Sequence, residues 1–135
     1  MAGETNISKL IKNMTPKLNA GEYVFCTVDD ITIIDRRDTI CEFKEDEGTT
    51  IIISRDKADE LHLRYEYVAS WITLMIHSSL EAVGLTAVFS DALAQQGISC
   101  NVIAGYYHDH IFVDKRDAER AMSALVVLSQ NAREE

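Results

Sequence analysis

The chain is 135 residues long, 47% hydrophobic and 26% charged, a globular balance with room for one ordinary domain or two very small ones. Thirteen Lys and Arg against 22 Asp and Glu leave a net charge of −9, which argues against nucleic acid and an anionic membrane surface as partners, because both need clustered basic side chains. Two half-length units would each be marginal alone, so they must share a core or dimerise.

Ile7, Leu10, Ile11 and Met14 recur at helical spacing, so the chain opens on an amphipathic helix, capped by Thr5 or Asn6 and ended by Pro16. Residues 1–20 hold no apolar leader segment and no small-residue cleavage site, so no secretory signal is expected. Asn19-Ala20-Gly21 turns into a strand over 22–28. Residues 29–38 mix acids, two arginines and an isoleucine cluster, and read as an irregular loop or short helical turn. A strand over 39–44 turns through Glu45-Asp46-Glu47-Gly48 into another over 49–54, followed by a short helix over 57–61. A long strand over 67–77 is too short in its apolar part to span a bilayer. Leu85, Val88, Phe89, Ala92 and Leu93 form the stripe of a helix that stops at Gly97. Strands over 98–104 and 110–113 follow, and Ala118, Ala121, Met122, Leu125 and Leu128 line a last helix.

Charge is unevenly spread: between Tyr67 and His108 the only Asp, Glu, Lys or Arg residues are Glu81 and Asp91. That centre is expected to be buried on more than one face, in the core or in a subunit interface. Cys26, Cys41 and Cys100 lie far apart with no CxxC pair, and read as small half-buried strand residues in a reducing cytosol. The expected location is cytoplasmic.

A shift of 60 lays Ile51-Ile52-Ile53-Ser54-Arg55-Asp56-Lys57-Ala58-Asp59 on Ile111-Phe112-Val113-Asp114-Lys115-Arg116-Asp117-Ala118-Glu119. Both are an apolar strand, a polar or charged entry and a helix with Ala at the same place. The match fails upstream, where the Leu85 helix would fall on the Phe25 strand. Two fused modules fit this better than an array, which needs three or more copies to stack a core.

The blocks WITLMIHSSLEAVGLTAVFSDAL and GISCNVIAGYYHDHIFV, with the Ala-spaced last helix, resemble the second module of a bacterial family of small tandem ACT-domain proteins. YVFCTV and FKEDEGTTIIISRDKA echo the first module, so the resemblance covers most of the chain. It implies an α+β fold of two ferredoxin-like βαββαβ modules, with antiparallel sheets covered on one face by helices. The N-terminal module, degenerate, would run over 1–65 and the C-terminal one over 66–135. It also implies a regulatory or binding role rather than a reaction. Relatives in the superfamily bind amino acids at paired modules and transmit occupancy to an attached enzyme or partner.

In such modules the ligand lies where the first strand passes into the first helix. Gly84 and Leu85 hold that position here. A glycine there lets a ligand approach the backbone, and free amides at the helix start can hold a carboxylate. Thr86 offers a hydroxyl one step on, and Ser78 and Ser79 follow the strand. The same residues serve equally as a turn and its caps. Asn101, a polar amide beside Cys100, Val102 and Ile103, either reads the ligand or ties down structure.

His108-Asp109-His110 invites a metal, since two histidines two apart share a side of an extended segment. A closed site needs more ligands than the neighbourhood spells out, and a pH-sensitive contact is the alternative use. Ser78 or Ser79 beside His77 suggests a nucleophile and its base, but neighbours at a strand end lack the geometry and no nucleophile-elbow glycines surround them. There is no P-loop and no dinucleotide fingerprint in context, so no cofactor is expected. The reading is thus a non-catalytic sensor of a small amino acid or similar carboxylate, homodimeric, with a regulated protein partner as a further possibility. The alternatives are a ligand-free protein–protein interaction module, supported by the charge-poor strand over 67–76, and an acyl- or acetyltransferase-like enzyme.

Overall fold

The computed structural model describes residues 6–76 and 82–134. The element order is α1 (Ile7–Asn13), β1 (Thr15–Leu18), β2 (Tyr23–Val28), β3 (Thr39–Glu45), β4 (Gly48–Ser54), α2 (Arg55–Glu60), β5 (Val68–Met75), α3 (Leu85–Ala94), β6 (Asn101–Ala104), β7 (Asp109–Asp114) and α4 (Ala118–Arg133). Two single 3-10 turns, Ile31–Ile33 and Arg36–Asp38, occupy the segment expected to be irregular. Packing gathers residues 20–70 into one unit and residues 1–19 with 71–135 into the other. Each is α+β, an antiparallel sheet with helices on one face.

In the 20–70 unit, β4 lies between β3 and β2, and β2 also pairs the first residues of β5, Tyr23 with Ala69 and Val24 with Val68. The pleat sends Val24, Cys26 and Val28 to one face, where Ile51, Ile53, Ile34 and Ala58 of α2 close the core. Ser54 caps α2 by accepting from the Lys57 amide at 3.2 Å. Arg55 then reaches both ways: Nε donates to the Tyr65 hydroxyl at 3.1 Å and Nη1 to Glu22 Oε1 at 3.1 Å. Tyr65 in turn donates to Asp59 at 2.6 Å.

In the other unit, β1 pairs β5 antiparallel from Thr15–Met75 to Leu18–Ile72. Pro16 does end the opening helix, but the residues around it form a strand rather than a plain connector. β1 pairs only β5 among the described residues, so the missing proline N–H falls where no donor is needed. β7 lies next to β5 and pairs β6, with Asn101 opposite Phe112. The helix-side core combines Ile72, Leu74 and Ile76 with Ile111 and Val113, roofed by Leu85, Phe89 and Leu93 of α3 and Ala121 and Leu125 of α4. Leu10, Ile11 and Met14 of α1 complete it. α4 also satisfies carbonyls at the C-terminus of α1: Arg133 Nε donates to Lys12 O at 2.9 Å and Ser129 Oγ to Met14 O at 3.2 Å.

The internal repeat is visible at both strand-to-helix joints. Ile51, Ile52 and Ile53 are 0%, 1% and 0% exposed, and Ile111, Phe112 and Val113 repeat those values in order. The next residue caps in each case, Ser54 as above and Asp114 by accepting from the Arg116 amide at 2.9 Å. Ala58 and Ala118 are both buried. Among the described residues no helix is long and apolar enough to cross a membrane.

Candidate functional site

The chain leaves β5 at Met75 and enters α3 at Leu85. Ser78 and Ser79 lie outside the described residues. Gly84 is the N-cap of α3 with φ 93° and ψ −9°, a left-handed conformation that favours glycine. It offers no side chain to the helix start, and the first intrahelical bond runs from the Val88 amide to Gly84 O at 3.1 Å. The amides of Leu85, Thr86 and Ala87 therefore have no partner within the helix. Among the described residues, a Cβ built on Gly84 meets nothing within 4 Å.

Leu85 is 4% exposed and its side chain belongs to the core, which leaves it only a backbone amide to offer. Thr86 is exposed on the first turn, and its carbonyl accepts from Ser90 Oγ. Asn101 lies on β6, where its Nδ2 donates to Phe112 O at 3.2 Å. That bond ties the amide to the strand opposite it in register.

The β6–β7 hairpin meets the end of β5. Gly105 N donates to His108 O at 3.0 Å, closing the turn. His108 Nδ1 lies 3.2 Å from Ile76 N and 3.1 Å from Ile76 O, on the last described residue before the loop. His110 makes a separate set of contacts. The Trp71 indole donates to its Nδ1 at 3.0 Å, and Thr73 Oγ1 lies 3.1 Å from the same atom while accepting from Asn19 Nδ2 at 3.0 Å. An indole N–H can only donate, so Nδ1 accepts and the neutral ring carries its proton on Nε2. The two histidines thus commit Nδ1 to separate protein contacts. Among the described residues no group of three or more His, Cys, Asp or Glu side chains is gathered for a metal.

Burial holds the His110 pKa below its usual 6.5, with the neighbouring His108 adding to the effect. The native state then binds fewer protons than the unfolded chain between the lowered pKa and 6.5, so stability falls as pH drops through that window. We expect the urea midpoint to decline between pH 7 and pH 5.5 and the decline to be shallower in His110→Gln. Equal slopes in the two proteins would remove His110 from the account.

Burial raises the Asp109 carboxyl, and His108 partly offsets it. Sequence reasoning had no signal for the Trp71–His110–Thr73–Asn19 network except that Trp71 and Thr73 are alternate polar-tipped residues in an apolar strand. Away from the loop, a groove of about 510 Å³ opens between α3 and α4, lined among others by Gln95, Gln96, Arg120 and Asn131. Its arginine is already engaged, with Asp117 at 2.8 Å and with Gln96 O. The open amides before α3 have the clearer chemistry for an anion.

A sheet with helices on one face, with a left-handed glycine at the entry to α3, is a small α+β module. The ACT domain family matches residues 2–70 and again residues 66–126, and the chain belongs to that family. Among solved structures it is similar to a protein of unknown function from Vibrio cholerae, described as a possible transport protein. The two share 46% identity and a TM-score of 0.80 over 90% of this chain and 94% of that one. A protein from Agrobacterium tumefaciens matches with TM-score 0.69 and 17% identity over 86% of this chain and 89% of that one. The regulatory subunit of aspartate kinase from Thermus thermophilus matches with TM-score 0.62 and 12% identity over 85% and 97%. The last two share the fold. No curated protein matches the chain.

Proposed function

We propose that the protein is a non-catalytic, cytoplasmic regulatory protein that binds a small amino acid or a similar carboxylate at the turn over 78–86. It acts as a homodimer of paired modules divided near residue 65, with a regulated protein partner. Backbone amides at Gly84 and Leu85 hold the carboxylate, and Ser78, Ser79, Thr86 and Asn101 read polar groups. The observation that carries this reading is Gly84: its left-handed backbone opens α3 without a side-chain cap of its own, and among the described residues nothing lies within 4 Å of where its Cβ would be. A helix N-terminus favours an anion by about 0.3–1 kcal/mol, so neighbouring side chains must add the rest. Asn101 lies opposite Phe112, on the sheet face away from α3, with one donor spent on Phe112 O, so it is the member of this set that the geometry supports least.

Thermal-shift screening against all amino acids and common metabolites tests the site. A ligand at 100 times its dissociation constant adds about 2.7 kcal/mol, which raises Tm by roughly 10 °C in a chain of this size. No shift with any compound would favour the interaction module. Turnover of an activated acyl donor, lost in Ser79→Ala, would favour the enzyme. A monomer in sedimentation equilibrium at micromolar concentration would defeat the dimer.

A further inference from the structure

The His110 network occupies a particular place along the chain. The chain passes between its two units twice, from Asn19 to Ala20 and from Ser70 to Trp71. Asn19 and Trp71 are the residues at those crossings on the side of the unit that holds His110. They are bonded to each other: Asn19 N donates to Trp71 O at 2.9 Å, and Asn19 Nδ2 to the same oxygen at 3.2 Å. Both are also joined to His110, Trp71 directly through its indole at 3.0 Å and Asn19 through Thr73 Oγ1. One imidazole nitrogen thus gathers both crossings of the chain.

The arrangement suits only a neutral ring. Asn19 Nδ2 uses one lone pair of Thr73 Oγ1, and the Thr73 hydroxyl proton points to His110 Nδ1 beside the indole N–H. A proton on Nδ1 reverses the demand at that atom. Thr73 Oγ1 can turn to accept it with its second lone pair, but the indole N–H can only donate and then faces another donor. Among the described residues little compensates the added charge. On the same sheet face β5 brings Trp71, Thr73 and Met75, and β6 brings Asn101 and Ile103, none of them ionisable. β1 brings the Lys17 ammonium, opposite Thr73 in register. β7 itself carries His108 on that side and the adjoining Asp109 carboxyl, and its turn from β6 carries the phenols of Tyr106 and Tyr107.

We propose that His110 is a proton-operated latch on the chain crossings: protonation of Nδ1 expels the Trp71 indole and loosens the Asn19–Trp71 contact, while the core under the helices stays packed. The latch is independent of any ligand at the turn before α3. Burial and the neighbouring His108 disfavour the charged ring, so the latch is closed at neutral pH and opens below pH 6.5. Opening frees the Trp71 ring from its hydrogen bond but leaves it the stack on Phe112, 6.0 Å between centroids at 18°, so the change is local.

The test is amide hydrogen exchange by NMR on the full chain, read as protection factors so that the intrinsic pH dependence of exchange cancels. Between pH 7.5 and pH 5 the Asn19 amide should lose about tenfold in protection, through openings insensitive to urea below about 1 M, as local openings are. In His110→Gln the loss should shrink to less than about twofold, since the Gln side-chain oxygen can accept from the indole at every pH. Trp71→Phe has no indole N–H to expel, so it should show the low Asn19 protection already at pH 7.5 and lose the acid dependence. Equal protection of wild-type Asn19 at the two pH values overturns the latch, as does an undiminished acid loss in either variant. It is also overturned if Asn19 exchange follows urea in parallel with the buried Leu125 amide of α4, because acid would then act through global unfolding alone.

Discussion

Phe89→Ala should destabilise the protein by about 3–5 kcal/mol, the usual range for truncating a buried aromatic. Phe89 is fully buried on α3 and packs in the cluster that also holds Ile72, Leu74, Ile111 and Leu125. Removing the ring strips its contacts from both the sheet and the neighbouring helix, and the closed layer can refill the space only in part. Against a typical total of about 5–15 kcal/mol, this is a third or more of the stability. Urea titration at pH 7.5 measures it. A loss under about 1 kcal/mol would mean that α3 is not docked as described. Because Leu85 shares that cluster, the same variant should loosen the entry to α3 and weaken any ligand held there.

Gly84→Ala should cost about 1–2 kcal/mol, since an L side chain is disfavoured by that much in left-handed backbone. The strain is conformational, since φ is 93° and among the described residues the added Cβ meets no atom within 4 Å. Two roles can be drawn for this glycine, a turn former and a place of close ligand approach, and the φ of 93° establishes the first. The second depends on binding. Gly84→Asn separates them, since Asn visits left-handed backbone at lower cost. If ligand approaches here, affinity falls in both variants, by roughly tenfold or more for about 1.4 kcal/mol of lost contact, while stability falls mainly in the Ala protein. A folded Gly84→Ala protein with wild-type affinity would defeat the site.

Much of the molecule follows from short-range pattern. The stripe Leu85, Val88, Phe89, Leu93 can only be an amphipathic helix, and Ala118, Ala121, Leu125 likewise. The strand-to-helix joints at Ser54 and Asp114 carry their capping oxygen in the sequence, which is why a shift of 60 residues finds them. Gly84 is legible as a turn because the strand must stop and the helix start within a few residues. The β6 strand is shorter than its apolar run suggests, Asn101–Ala104 instead of 98–104, because Ile98 turns into the core before pairing begins.

Other features depend on partners far along the chain. The stripe of α1 announces a buried face but not what buries it, and its partners, α4 and the 71–76 stretch, lie more than 50 residues away. β1 has a proline and no strong strand pattern, and exists because β5 offers it an edge. Trp71 sets the tautomer of His110 across 39 residues, through a hydrogen bond that no spacing rule reveals. A His-Asp-His run says nothing of burial, yet packing leaves Asp109 only 8% exposed and raises its carboxyl. Periodicity and capping are local chemistry, so the residues themselves specify the elements and the one special turn. Burial, pairing and proton position are properties of assembled neighbours, so only the packed chain decides that Asp109 is mostly buried and that His110 carries its proton on Nε2.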